Sequence, residues 1–237
     1  MADLEVHALT FDVFGTVVDW RGSVIEEVQR LGRSHGIDAD WESFADAWRA
    51  GYGPGMDRVR RGELPWTPLD GLHRLILDGL LDQYGLAGLT EPEIERLNRV
   101  WHRLKPWPDV VEGLRRLRQN YLTVTLSNGN VALLVNLSKY AGLSWDCILS
   151  AELARHYKPD LEVYQTAADL LGLPADAVMM VASHEFDLQA ARRAGFKTAF
   201  VDRPELIDSV GAEHTDDGGG FNIVVSDFVE LADKLGA

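Results

Sequence analysis

The chain of 237 residues has a single cysteine, Cys147, so it can form neither an intrachain disulfide nor a thiolate metal cluster. A reducing, cytoplasmic setting is the expectation. Positive charge is also scarce: 23 Lys and Arg stand against 37 Asp and Glu, a formal net charge of −14. Such a field repels phosphate backbones and anionic lipid, which argues against nucleic acid and membranes as partners. A small anionic substrate stays compatible with it, because a local Arg and Lys cluster in a cleft can override the exterior field. No stretch approaches the roughly 20 apolar residues of a membrane span. Residues 1–7 lack the basic start and apolar run of a secretory leader. With 46% hydrophobic and 25% charged residues, the composition leaves no room for long disorder. The length allows one large core, or a core with an inserted second unit.

The pattern along the chain favours the second arrangement. Residues 6–11 form a short apolar run, closed by Asp12 and Gly15, and read as a buried strand followed by a polar turn. From about residue 20 to 107 the periodicity is helical, and this stretch holds six of the seven tryptophans: Trp20, Trp41, Trp48, Trp66, Trp101 and Trp107. Within it Thr67 and Pro68 read as an N-cap and first-turn pair, with Leu69, Leu72, Ile76 and Leu80 forming one apolar stripe. Thr90 and Glu93 have capping-box spacing ahead of Ile94, Leu97 and Trp101. From Pro108 onward strands and helices alternate. Strands are expected at 121–126, 147–149, 177–182, 197–201 and 223–225, and helices at 131–140, 161–171, 187–194 and 228–235. Residues 216–220 read as a loop, not a phosphate cradle, since no strand feeds them and no helix follows directly. The fold class predicted is α/β: a doubly wound parallel-sheet, Rossmann-like core, residues 1–18 and 108–237, with a helical insertion at 19–107 after the first strand.

Open parallel sheets bind ligands beyond the carboxyl ends of their strands. Polar groups follow the apolar runs at three of these ends: Asp12 after LTF, Ser127 and Asn128 after VTL, and Ser183, His184 and Asp187 after MMVA. Another loop supplies Tyr157 and Lys158. Singly, each of these is as well explained as the cap of a following helix. Together they make a carboxylate, a hydroxyl, an amide, an ammonium and a second carboxylate, the groups required for covalent and acid/base catalysis.

In this combination the chain resembles the haloacid dehalogenase superfamily and, within it, the L-2-haloacid dehalogenases. FDVFGT at 11–16 is similar to the nucleophile motif, LSNG at 126–129 to the second, YKPD at 157–160 to the lysine motif and VASHEFD at 181–187 to the acidic fourth motif. Their order and spacing carry the resemblance over nearly the whole chain. Phosphatases of the superfamily have a second Asp two residues after the nucleophile and an Asp after the fourth strand, where this chain has Phe14 and Ser183. The first would be the general acid for a departing alcohol, the second a magnesium ligand. A halide leaves without a proton, and a hard divalent ion needs several oxygen ligands, so both changes point from phosphorus toward carbon and halogen.

The resemblance implies an activity with no metal or cofactor: hydrolysis of small 2-haloalkanoic acids, from haloacetates to longer L-2-haloacids, to 2-hydroxy acids. Asp12 would displace the halide in line and form an aspartyl ester that water then cleaves. Lys158 would keep Asp12 ionised and Thr16 would orient it. Ser127, with the backbone amides of Val13 and Phe14, would bind the substrate carboxylate. Arg49 in the helical cap, Asn128 and Phe186 would cradle the halide. Asp187 would help activate water, beside Ser183, and Tyr164 would support the lysine end. His184 stands where typical members have Asn, and Ala182 where they have Ser; the histidine would then aid the water or the leaving halide. A homodimer is implied as well. Two other readings stay open at this point: a magnesium-dependent phosphatase with a variant ligand set, and a non-catalytic module that binds a small acid or a protein.

Overall fold

The computed structural model describes residues 5–203 and 220–237. They separate into two compact units: one comprises the chain up to Asp19 together with Pro106 onward, the other Trp20–Lys105. Trp107, assigned above to the helical insertion, belongs to the first unit. Its backbone N–H donates to Val17 O at 3.1 Å and its indole N–H to Gly15 O at 2.8 Å.

The first unit is built on six parallel strands: β1 (Ala8–Phe11), β2 (Leu122–Ser127), β3 (Cys147–Ser150), β4 (Val178–Ala182), β5 (Lys197–Val201) and β6 (Ile223–Val225). Their order in the sheet is β3-β2-β1-β4-β5-β6, a doubly wound arrangement in which the chain reverses direction across the sheet at β1. β1 therefore lies between β2 and β4, with Phe11 level with Thr125 and Val181. Side chains alternate between the two faces. Val124, Leu126, Val178 and Met180 meet Val163, Tyr164 and Ala167 of helix Leu161–Leu171 and Leu188 and Ala191 of helix Glu185–Arg193. Phe11 projects to the opposite face, where its ring lies 5.3 Å from both Trp145 and Phe228. Burial on both faces explains why the central strands read as unbroken apolar runs. The threonines in β2 keep the rule for buried polar groups: Thr125 Oγ1 donates to Leu149 O at 2.9 Å.

β5 and β6 have the limits expected, β2, β3 and β4 differ by one residue, and β1 begins at Ala8 rather than residue 6. A second correction concerns the helix expected from 187. It spans Glu185–Arg193, with His184 as N-cap and the N–H of Asp187 donating to His184 O at 3.1 Å. The acidic side chain thus sits in the first turn, where the helix dipole favours it. Of the loop expected at 216–220, all but Gly220 lies outside the described residues.

The second unit contains helices Trp20–His35, Trp41–Ala50, Tyr52–Arg60, Leu69–Leu80 and Glu91–Asn98, then a 3₁₀ turn, Arg99–His102. Aromatic side chains fill its centre. The Trp48 ring lies edge-on to Phe44 at 5.5 Å and to Trp101 at 5.4 Å, and its indole N–H donates to His73 O at 2.9 Å. Thr90 and Glu93 form the expected capping box. Thr67 does not cap the preceding helix: Pro68 holds that position in an extended conformation, and the Thr67 hydroxyl donates instead to Pro65 O at 2.8 Å. The buried face of this helix is Leu69, Leu72, His73 and Leu77, while Ile76 and Leu80 are only partly covered. His73 stacks on Trp101 at 4.1 Å, and burial drives its pKa down to about 3, so it packs as a neutral ring. Among the described residues no helix is long and apolar enough to cross a membrane.

Candidate active site

The carboxyl end of β1 delivers Asp12 into a buried cluster. Its N–H donates to Val181 O at 3.0 Å, which continues the sheet ladder and fixes the backbone before the chain turns. Gly15 then adopts φ of 88°, a conformation that costs a side-chain-bearing residue dearly. The turn brings Thr16 back over Asp12, where Thr16 Oγ1 donates to Asp12 Oδ2 at 2.8 Å. The same hydroxyl accepts from the Ser183 N–H at 2.9 Å, so the β4 end helps hold the Asp12 carboxylate.

Lys158 enters from the loop before helix Leu161–Leu171. Its Nζ donates to Asp12 Oδ1 at 2.9 Å and also to Asp187 Oδ2. Asp187 accepts a second bond, at Oδ1, from the Tyr164 hydroxyl. Asp12, Lys158 and Asp187 are 6%, 4% and 1% exposed, so the three charges interact with little screening. Asn128 clasps the backbone of Lys158, its Oδ1 accepting from Lys158 N at 2.7 Å and its Nδ2 donating to Lys158 O at 3.3 Å. The glycine after it has a steric reason: a Cβ on Gly129 would lie 3.2 Å from both the Phe14 ring and Leu134. Ser127 is fully buried at the end of β2, and its Oγ accepts from Gly129 N–H at 3.1 Å.

Burial is the largest influence on each of the three charges. It acts to raise the Asp12 pKa, but the Lys158 and His184 charges and the hydrogen bonds from Lys158 and Thr16 overcome it, leaving the carboxyl below its ordinary range. For Asp187, burial and the negative charge of Asp12 outweigh Lys158, and the pKa is raised. For Lys158, burial opposes the charge, yet the two carboxylates push its pKa up to about 12. Burial, then Asp187, raises Tyr164, keeping its hydroxyl a donor.

His184 Nε2 lies 3.0 Å from Phe14 O and 3.7 Å from Asp12 Oδ2. The ring of Phe186, 51% exposed, stacks on it at 5.5 Å. Ser183 Oγ is buried with no protein hydrogen-bond partner. Thr16, Lys158 and His184 thus stand against the Asp12 side chain, with Ser183, Asp187, Asn128 and Phe186 bound to them in turn and Tyr164 to Asp187. Arg49 belongs to the second unit, where its guanidinium lies 4.6 Å from the Tyr52 ring and 5.9 Å from that of Trp20. Two residues of the first unit that sequence reasoning passed over, Trp107 and Arg203, also reach the Asp12 turn, and Asp109 holds the second of them. Arg203 follows the β5 run, so the same search of strand ends extended by one strand would have found it.

The donor set does not suit a divalent cation. An ammonium already bridges the two carboxylates, and no group of three or more His, Cys, Asp or Glu could hold a metal ion among the described residues. Chemically, the arrangement offers an ionised, oriented carboxylate beside a second, more basic one.

Fold and site together define a class: open parallel-sheet proteins whose central strand ends in a charge-paired aspartate. The family model of the haloacid dehalogenase-like hydrolases matches residues 6–195. (S)-2-haloacid dehalogenase 1 of Pseudomonas sp. (strain CBS-3) is 30% identical over 209 residues, covering 84% of this chain and 85% of that one. A solved L-2-haloacid dehalogenase has 44% identity and a TM-score of 0.90, over 98% of this chain and 99% of its own. A solved defluorinating L-2-haloacid dehalogenase has 41% identity and a TM-score of 0.90, over 98% and 96%. The chain belongs to the haloacid dehalogenase-like hydrolases and, within them, to the L-2-haloacid dehalogenases.

Proposed function

We propose that the chain hydrolyses small 2-haloalkanoic acids to 2-hydroxy acids through an ester on Asp12, without a metal. The observation that carries this reading is the Asp12 carboxylate itself: buried, held ionised by Lys158 and pinned at its other oxygen by Thr16. A carboxylate so placed is a nucleophile, and with Phe14 two residues on there is no acid at that position to protonate an alcohol. A halide needs none. Attack forms the bond from the Asp12 oxygen to the halogen-bearing carbon as the carbon–halogen bond breaks, with inversion. Water then adds to the ester carbonyl of Asp12 and releases the hydroxy acid.

In this reading Ser127, with the amides of Val13 and Phe14, takes the substrate carboxylate, while Asn128 and Phe186 receive the halide. Asp187, whose oxygens retain lone pairs beyond those used by Lys158 and Tyr164, acts as the base for water. Ser183 and His184 border the same water. The relatives named as (S)-2-haloacid dehalogenases and the solved L-2-haloacid dehalogenases support the choice of substrate class. A cytoplasmic location, expected from the sequence, and a homodimer, implied by the family resemblance, complete the proposal.

The test is halide release from fluoro-, chloro- and bromo-acids with and without chelator. The expectation is release unaffected by chelator and abolished by Asp12→Asn. In a single turnover in ¹⁸O-water, the label should enter the Asp12 carboxylate. Chelator-sensitive hydrolysis of p-nitrophenyl phosphate with no halide release would instead identify a magnesium-dependent phosphatase.

A further inference from the structure

Three consecutive backbone carbonyls of the Asp12 turn are held by residues outside the four motifs. Gly15 O accepts from the Trp107 indole N–H at 2.8 Å, Thr16 O from Arg203 Nε at 3.2 Å, and Val17 O from the Trp107 backbone N–H at 3.1 Å. Arg203 is itself fixed on every side. Asp109 pairs with both of its terminal nitrogens, at 2.7 and 2.9 Å, and its guanidinium lies 5.6 Å from the Trp107 ring and 5.4 Å from that of Phe228. Asp109 in turn accepts from Phe228 N at 2.8 Å. Arg203 is 9% exposed and Thr16 fully buried, so this linkage is shielded from water.

We propose that Trp107, Asp109 and Arg203 form a clamp that positions the nucleophile: Arg203 sets the Thr16 peptide, and Thr16 sets the Asp12 carboxylate. The chain of contact is short. Arg203 Nε binds the carbonyl of the residue whose Oγ1 donates to Asp12 Oδ2 at 2.8 Å. A planar fork held bidentately by Asp109 leaves its Nε–H in one direction, which a lysine cannot reproduce. The indole N–H of Trp107 fixes the preceding peptide in the same way. Trp107, Asp109 and Arg203 act on Asp12 only through the Gly15, Thr16 and Val17 peptides, so they are positioning residues. An in-line displacement is sensitive to such placement, since a misalignment of about 1 Å costs on the order of 10²-fold in rate.

The inference rests on Asp12 being the nucleophile, and the experiment is arranged to fail separately from that reading. Arg203→Met, Trp107→Phe, Thr16→Val and the Arg203→Met/Thr16→Val pair are compared by two readouts. The first is the ¹³C titration of the Asp12 carboxyl in substrate-free protein, assigned with Asp12→Asn. The second is the kcat and KM of halide release. Arg203→Met should raise the Asp12 titration midpoint as Thr16→Val does, and lower kcat about tenfold to hundredfold with KM little changed. The double variant should fall no further than Thr16→Val alone, because both act along one path. Trp107→Phe, which keeps the ring but loses the indole N–H, should move both readouts the same way by less, and decides the matter if Arg203→Met does not fold. An Asp12 titration unmoved by either variant, or additive losses in the pair, would overturn the clamp. If the parent releases no halide, the proposed function fails while the titration still tests the clamp.

Discussion

Replacing Lys158 by Met removes the ammonium and keeps a side chain of comparable reach, so it isolates the role of the charge. Asp12 and Asp187 are then left 6% and 1% exposed without the cation that both bind. Burial is the largest influence on Asp12 and acts to protonate it; Lys158 is the first opposing cause and His184 the second. Losing one partner of a buried ion pair costs about 3–5 kcal/mol. Protonation of the stranded carboxyl relieves part of that cost, so the Asp12 titration is raised. Displacement requires the ionised carboxylate, so activity is lost as pH falls through the folded-state pKa. In the parent that acid limb lies below the ordinary carboxylate range, whereas in Lys158→Met it moves up toward neutrality. Halide release followed from acid to alkaline pH, with matched circular dichroism to confirm folding, would show the displaced limb and partial recovery of rate in alkali. A folded variant whose acid limb coincides with the parent's would refute the assignment of Lys158 as the group that ionises Asp12.

The same lysine predicts alkaline behaviour of stability. Its pKa, raised from 10.5 to about 12, contributes about 2 kcal/mol that is fully present below the unfolded value and lost as pH rises through about 12. The urea midpoint of the parent should therefore fall over that window more steeply than that of Lys158→Met. Gly113→Ala should destabilise the core unit by about 1–3 kcal/mol, because the added Cβ would lie 2.4 Å from Phe228 Cβ and 2.7 Å from its carbonyl carbon. Thermal melting checks this, and an unchanged Tm would show that helices Val110–Leu117 and Phe228–Leu235 separate freely. Thr90→Ala removes the hydroxyl's part of the capping box with Glu93, leaving the bond from the backbone N–H, and should cost about 1 kcal/mol, read as a lower urea midpoint with kcat unaltered.

The parts of the fold legible in sequence were those whose causes are local. The central strands announced themselves as short apolar runs because both faces are covered, and the Thr90–Glu93 box is written in residues three apart. Asp12, Lys158 and Asp187 were legible as chemistry at strand ends, although their mutual distances follow from a strand order that periodicity does not encode. Misreadings arose where a polar group was buried by distant partners. The stripe expected at Leu69, Leu72, Ile76 and Leu80 leaves out His73, which stacks on Trp101 and belongs to the buried face. Trp107 read as the last aromatic of the insertion because its bonds to Gly15 and Val17 span about ninety positions. Arg203 was invisible for a similar reason, since its partners Thr16 and Asp109 lie in other parts of the chain.

Asp12 and Asp187 share one ammonium, yet their pKa values move in opposite directions. The difference comes from the other neighbours. Asp12 faces His184 and accepts from Thr16, so its anion is favoured; Asp187 lies deeper and feels the charge of Asp12. Two carboxylates driven apart in this way can serve two steps. The one that stays ionised suits attack on carbon, and the more basic one suits removal of a proton from water. A divalent cation in the place of Lys158 would pull both carboxylates down together and erase the distinction. A single positive charge is weak enough for the surroundings to decide between them, and in the mechanism proposed above the lysine is then a condition of two-step ester chemistry rather than a substitute for a metal.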